Sequence, residues 1–160
     1  MALSGKYKGI RFRSLLELSF IREAEESGLI FGETLLYESI RIPYGTKKKR
    51  TYIVDFLVKK DKPYMVEVKP TLRTLTKNFK AKARAALEYA EKENISFIVV
   101  TEKDISHVLS FGEARNIDEV EWGVRAQRKI KRDDAKKIKQ ISARGGNRRS
   151  RKNTDSKSSI

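Results

Sequence analysis

The sequence lacks cysteine altogether and contains a single histidine, His107, among its 160 residues. Disulfide bonds and thiolate metal sites are therefore excluded. A lone histidine with no nucleophile motif around it favours a structural role over a Ser-His-Asp triad. No glycine-rich phosphate loop of the P-loop type occurs either, so we do not expect the protein to use ATP.

Long hydrophobic runs are also absent from the chain. No apolar stretch approaches the roughly 20 residues that span a bilayer, and the first residues lack the apolar core of a secretion signal. We therefore expect no membrane contact and a place in the cytoplasm of a host cell, with association with a virion as the alternative.

Positive charge is abundant, with a formal net charge of +15 at pH 7. The excess is uneven, because residues 128–160 hold 13 lysines and arginines against 3 aspartates. Such a segment suits a polyanion, of which nucleic acid is the commonest; a solubilising disordered end is the alternative. We predict a globular domain over residues 1–127 and a basic tail over 128–160, which is helical to Ile141 and disordered from Ser142.

Two segments rich in β-branched and aromatic residues, 52–58 and 64–70, flank a charged loop that contains a proline. This pattern predicts a β-hairpin. Glu67 and Lys69 share one face of the second strand because they are two residues apart, and antiparallel pairing can bring Asp55 close to them. Buried charge needs compensation, which a divalent cation bound by the acids would supply. A cross-strand ion pair is the alternative.

A helix is predicted from Ser14 to Ser27, with Leu16, Phe20 and Ala24 forming its buried stripe. Ser14 suits the N-cap position, and Glu17 follows three residues later as in a capping box. Glu17 therefore has two interpretations: it caps its own helix, or it adds a third carboxylate to the metal site.

Other elements follow from periodicity. Residues 1–12 suggest an irregular basic arm, residues 37–43 a strand, and Asp104–Leu109 a short helix. A helix ending near Asn94 leads into residues 95–100, a strand expected to be buried on both faces, and together with the preceding strand they form a parallel crossover. The apolar stripe of that helix comprises Leu75, Phe79, Ala83, Ala86, Leu87 and Ala90.

Two groups of cations are candidate contacts for a phosphate backbone. The first lies at the predicted tip of a hairpin, and the second forms a row at helical spacing. A solvated turn is the alternative for the first group. The candidates are Lys47, Lys48, Lys49 and Arg50 at the tip, and Lys77, Lys80 and Arg84 on the helix.

Glu17, Asp55, Glu67 and Lys69 stand in the order of the PD-(D/E)XK nuclease superfamily. Within it the chain resembles TnsA-like transposon nucleases and the head-completion nucleases of T-even phages, and more weakly the Holliday-junction resolving endonuclease of T-odd phages. Position 54 departs from the superfamily pattern, with valine in place of proline. The matching segments are 12–17, which includes Arg13 as a further candidate DNA contact, 38–44, 52–56 and 66–70.

The resemblance implies a restriction-endonuclease-like core, an α/β fold with a mixed central sheet flanked by helices. It implies that Glu17, Asp55 and Glu67 bind Mg²⁺, for which Mn²⁺ substitutes, and that Lys69 is catalytic. The activity implied is a Mg²⁺-dependent DNA endonuclease of phage type that leaves 5′-phosphate ends and acts on DNA ends or branched DNA.

Alternatives remain open for both function and partners. A Holliday-junction resolvase is one, and a non-catalytic DNA-binding or virion structural protein with a nuclease fold is another. DNA is the expected partner, while a second copy of the chain and phage head or other virion proteins are open.

Overall fold

The computed structural model describes residues 2–149, which form three sheets and five helices. The strands are β1 Gly5–Tyr7, β2 Ile10–Phe12, β3 Leu35–Tyr37, β4 Arg41–Tyr44, β5 Arg50–Ile53, β6 Phe56–Val58, β7 Tyr64–Val68, β8 Ser96–Val100 and β9 Val120–Trp122. The helices are α1 Leu15–Glu26, α2 Thr71–Thr74, α3 Lys77–Glu93, α4 Phe111–Ala114 and α5 Val124–Arg149. No helix in this part of the chain combines the length and hydrophobicity needed to cross a membrane.

The central sheet has four strands in the order β3-β6-β7-β8. β6 is antiparallel to both β3 and β7, whereas β7 and β8 are parallel and connected through α2 and α3. The predicted hairpin and the predicted parallel crossover are therefore both present. Helices flank this mixed sheet, which confirms the restriction-endonuclease-like α/β fold.

The predicted strand over residues 52–58 is in fact two strands, interrupted at Val54 and Asp55. β5 pairs with β4 in a separate hairpin, and β6 joins the central sheet. Tyr52 and Val54 pack in one hydrophobic cluster while Phe56 packs in the other. Strict alternation would place all three on one face, so the interruption shifts the side-chain alternation by one residue, as a bulge does.

The first residues also differ from expectation, because they form a hairpin rather than an irregular arm. β1 pairs with β2 and with β9. Lys8 and Gly9 connect β1 to β2 with φ angles of 49° and 80°. Two successive left-handed residues are what a tight two-residue hairpin turn requires, and glycine adopts this conformation without strain.

α1 confirms the helix predicted from Ser14. The Ser14 hydroxyl accepts a hydrogen bond from the Glu17 backbone N–H at 3.1 Å, which caps the helix. Leu16, Leu18, Ile21 and Ala24 are buried against the central sheet in the larger of the two hydrophobic clusters. Packing on this cluster fixes the start of α1, and therefore Glu17, relative to β7.

α3 and β8 are less buried than the sequence suggested. Leu75, which precedes α3, and Leu87 are 66% and 56% exposed, and only Phe79, Ala86 and Ala90 of the predicted stripe are buried. β8, which lies at the edge of the sheet, has an exposed face at Ser96 and Ile98.

The segment after β8 also corrects a prediction. Residues 104–109 are not helical, since the Asp104 carboxylate accepts hydrogen bonds from Thr101 and closes a turn. The helix begins later, at α4, where Ser110 and Glu113 form a complete capping box.

α5 runs from Val124 to Arg149, so the boundary placed between residues 127 and 128 falls inside one helix. Residues 142–149 are helical rather than disordered, and lysine, arginine, glutamine and alanine, which dominate α5, favour helix. Residues 150–160, the rest of the predicted disordered segment, lie outside the described residues. The division into two domains stays a prediction.

Candidate active site

Glu67 lies near the end of β7, with only 2% of its surface exposed. The Tyr52 hydroxyl donates a hydrogen bond of 2.6 Å to its Oε2, and Lys69 Nζ lies 3.0 Å from its Oε1. The Lys69 side chain is 29% exposed, so its ammonium group connects the buried carboxylate to solvent. Both Glu67 oxygens are therefore held in defined positions.

Asp55 occupies the interruption between β5 and β6 and is 6% exposed. Extending the β6–β7 register by one residue places Asp55 opposite Glu67, on the same face of the sheet. Its Oδ2 accepts a hydrogen bond of 2.9 Å from the Val68 backbone N–H. The antiparallel register of β6 and β7 thus places Asp55 beside Glu67, at the end of β7.

Glu17 reaches the same place from the first turn of α1 and is 8% exposed. Its Oε2 accepts a hydrogen bond of 2.8 Å from the backbone N–H of Arg13, one residue before the N-cap. A capping box would instead use the N–H of Ser14. Glu17 therefore stabilises the approach to the helix with one oxygen, while no residue in the described part of the chain donates to its Oε1.

The three acids lie close enough to influence one another electrostatically. Burial raises the pKa of Asp55, and the carboxylates of Glu67 and Glu17 raise it further. Burial also raises the pKa of Glu17, against the opposing effect of the Arg13 backbone N–H. Carboxylates crowded in a low-dielectric site disfavour their charged forms, so three ionised acids at this point need a nearby positive charge.

The donor set fits a hard divalent cation. Three carboxylates are oxygen ligands of the kind Mg²⁺ prefers, and among residues 2–145 no group donates a hydrogen bond to Glu17 Oε1 or Asp55 Oδ1. A ready-made cluster of three ligands does not occur among these residues. The Lys69 ammonium group pairs with Glu67 Oε1. A bound ion would therefore have to share that oxygen with Lys69.

Arg13 and Glu38 form an ion pair, and Arg13 also lies near Glu17 and Asp55. The Glu38 backbone adopts a φ of 47°, which is uncommon for a residue with a side chain. Its N–H donates to the Asp55 carbonyl oxygen at 2.9 Å. Arg13 was a candidate DNA contact, but its guanidinium group is partly neutralised by Glu38, and it contributes a backbone hydrogen bond to Glu17.

The remaining candidate DNA contacts are all exposed, in two groups. Lys47, Lys48 and Lys49 lie in the loop between β4 and β5, and Arg50 begins β5. The Tyr44 hydroxyl, next to this loop, contacts Asn78 Oδ1 of α3 at 3.3 Å. The loop therefore lies beside the first turn of α3, which carries Lys77 and Lys80; Arg84 lies one turn further on.

Two residues of the site were missed by the sequence analysis. An uninterrupted strand would have placed Tyr52 opposite position 70, so only the break at Asp55 brings it to Glu67. Glu38 could have been found as an acid just before a strand in a segment that matches the nuclease pattern. His107, given a structural role, contacts Glu113 at 2.9 Å on the surface.

Residues 29–102 match the family model described as the TnsA-like endonuclease N-terminal domain. The matched segment contains Asp55, Glu67 and Lys69, whereas Glu17 and α5 lie outside it. No curated protein and no solved structure matches the chain significantly. The match confirms the resemblance to TnsA-like nucleases of the PD-(D/E)XK type over residues 29–102, which are just under half of the chain.

Proposed function

We propose that the chain is a divalent-metal-dependent deoxyribonuclease that hydrolyses phosphodiester bonds, with Mg²⁺ as its cofactor and Mn²⁺ as a substitute. The observation that carries the proposal is the convergence of three buried carboxylates and the Lys69 ammonium group in a chain whose residues 29–102 match an endonuclease family. The exposed cations beside this site support DNA as the substrate, because phosphate backbones bind to such surfaces.

Glu17, Asp55 and Glu67 would hold the ion, which supplies a Lewis acid that offsets negative charge on the reacting phosphate. Tyr52 positions Glu67 by donating to its Oε2. An ammonium group has three N–H donors, and one of those of Lys69 is directed at Glu67 Oε1. Its remaining donors can stabilise charge on a phosphate oxygen or orient a water molecule, which is the catalytic role we assign to Lys69.

Cleavage of supercoiled plasmid in Mg²⁺ tests the proposal. Asp55→Asn and Lys69→Ala should each reduce the rate by at least about a hundredfold, the typical worth of a catalytic group. Asp61→Asn and Lys60→Ala are matched controls, since these residues lie exposed in the loop between β6 and β7, and both should cleave at the wild-type rate. Equal rates in all five proteins would refute the proposed chemistry.

The form of the DNA is a finer proposal, for which linear, nicked, overhanging and four-way substrates should be compared. We propose ends or branched DNA, as in phage-type nucleases. A strong preference for four-way junctions would favour a resolvase. Sedimentation with and without DNA tests a homodimer, in which two sites would cut both strands.

One observation favours a second candidate, a non-catalytic DNA-binding or virion structural protein with this fold. The Lys69–Glu67 ion pair already compensates one acid, and no formed ligand cluster is present within residues 2–149. This candidate predicts salt-sensitive DNA binding that no divalent metal changes. Wild-type plasmid cleavage that depends on Mg²⁺ would eliminate it.

A further inference from the structure

The cations of α5 are arranged on one side of the helix. At 100° per residue, five of them fall within an arc of about 80°. All five are exposed, and none forms an ion pair with another residue in the described part of the chain. We call this the cationic face of α5; it comprises Arg125, Arg128, Arg132, Lys136 and Lys139.

The opposite side of α5 holds the helix on the domain. Ala126 is fully buried and Ile130 is partly buried. Asp134 pairs with Arg115 at 2.8 Å on this side, while on the flank next to the cationic face Lys129 pairs with Asp133 and lies over the Phe111 ring. Both acids of the helix therefore lie off the cationic face, which points away from the domain.

The second half of α5 leaves the domain entirely. Every side chain from 135 to 145 is exposed. A solitary helix in water is marginal, and this one carries few large apolar side chains that would call for a protein partner. Its surface is dominated by positive charge, which suits a polyanion.

The base of α5 lies next to the start of the candidate active site. β2 and β9 both pair antiparallel with β1, so they run in the same direction, and Phe12 and Trp122 share a row with Gly5. The rings of Phe12 and Trp122 are in contact, 5.6 Å apart. The chain therefore leaves β2 and β9 at points about 10 Å apart, which is twice the spacing between neighbouring strands. After β2 it continues to Arg13 and Glu17, and after β9 it continues to α5.

We propose that α5 is an arm that holds duplex DNA beside the candidate active site, with the cationic face against the phosphates of one strand. The face extends about 21 Å, at 1.5 Å per residue. That length lets the face reach several phosphates of one strand, whose charges recur every 3.4 Å along the duplex axis. The position beside a nuclease site rests on the proposed function, whereas DNA binding by the arm does not.

Binding of the full chain to a labelled 30-base-pair duplex in EDTA tests the arm without any cleavage. The variant Arg128→Gln/Arg132→Gln/Lys136→Gln removes three charges from the cationic face. The matched control Lys131→Gln/Lys137→Gln/Arg144→Gln removes three exposed charges at least about 100° from the centre of that face. Glutamine preserves helix propensity, and circular dichroism verifies that both variants retain their helix.

The face variant should weaken binding at least tenfold at 100 mM salt. It should also flatten the plot of log affinity against log salt by about 2.7, since each lost phosphate contact removes about 0.9. The control should change that slope by less than about 1. Equal losses in both variants, or no loss in either, would overturn the proposal.

Two further measurements separate the alternatives. Vesicles containing phosphatidylserine should not compete with the duplex, and competition that the face variant abolishes would overturn the proposal in favour of a membrane surface. If wild type binds the duplex through the cationic face but neither wild type nor any variant cleaves plasmid in Mg²⁺, the proposed nuclease function is refuted and the proposed DNA-binding role of α5 is retained.

Discussion

The acid site and α5 carry charge in opposite ways. Glu17, Asp55 and Glu67 are nearly buried, and each is held by a specific donor: a backbone N–H for two of them, a tyrosine and a lysine for the third. The cations of α5 are solvated, and those on its cationic face form no ion pair within residues 2–149. Buried charge is costly without partners, whereas exposed charge costs little.

The two regions therefore suit different steps of the proposed function. A buried, fixed arrangement suits chemistry, which needs groups held in one geometry. A solvated row of like charges suits capture of a polyanion, which requires charge but little precision. Substitutions in the acid site should therefore alter activity strongly, and substitutions in α5 should alter only binding.

The largest effect is expected at Glu17. Glu17→Gln should slow plasmid cleavage roughly a thousandfold if its charge helps hold the ion, and it should change the melting temperature little because an amide oxygen can still accept from Arg13 N–H. Ser14→Ala is the contrasting variant, expected to lose about 1 kcal/mol of stability through its cap and to keep cleaving. The reverse pattern would assign Glu17 to capping alone.

The ionised Asp55 carboxylate should destabilise the folded protein when no metal is bound. Its pKa is raised in the fold, so the folded state binds more protons than the unfolded chain as pH rises above the unfolded value of about 3.9. Stability therefore falls as pH rises from there through the raised pKa. Asp55→Asn, whose amide oxygen can accept from Val68 N–H, should stabilise the protein in EDTA by roughly 2 kcal/mol at pH 8.

Urea denaturation of both proteins at pH 5 and pH 8 measures this difference. The increase in the free energy of unfolding caused by Asp55→Asn should be smaller at pH 5, where the wild-type carboxyl is more often protonated. A gain that is independent of pH would show that ionisation of Asp55 is not the source of the instability.

Tyr52→Phe should have an intermediate effect. It removes the hydroxyl that donates to Glu67 Oε2 and leaves the packed ring in place. Removing a residue that hydrogen-bonds to a metal ligand typically lowers metal affinity or activity tenfold to a hundredfold. We therefore expect the cleavage rate to fall about tenfold. Excess Mg²⁺ should restore part of the rate if the defect is in metal binding, whereas a defect in folding alone would not respond to metal.

The smallest effects are expected for single changes in α5. Arg132→Gln should change the free energy of unfolding by less than about 0.5 kcal/mol, because the side chain is exposed and makes no ion pair with the described residues. It should reduce the slope of log DNA affinity against log salt concentration by about 0.9. A large loss of stability would mean that α5 is part of the structural core.

Much of the central architecture could be predicted from the sequence. The hairpin of β6 and β7, the crossover to β8 and the capped start of α1 follow from alternation, a charged loop and Ser14. These signals are local, which is why they are visible in the chain. The proximity of Asp55 and Glu67 followed from antiparallel pairing, although their roles stay predictions.

What could not be predicted depends on tertiary context. The break at Asp55 arises because β5 and β6 pair with different partners, and no local residue signals it. Tyr52 reaches Glu67 only through that break. Leu75, Leu87 and Ile98 are apolar and look buried in sequence, but their exposure depends on where neighbouring elements end.

Calorimetric titration with Mn²⁺ tests the central claim most directly, that buried acids at the end of β7 hold a divalent cation. Wild type and the control Asp61→Asn should bind the ion equally, and Asp55→Asn should bind it at least about tenfold more weakly, as loss of a carboxylate ligand requires. Absence of binding to wild type, or equal binding by all three proteins, would contradict the account.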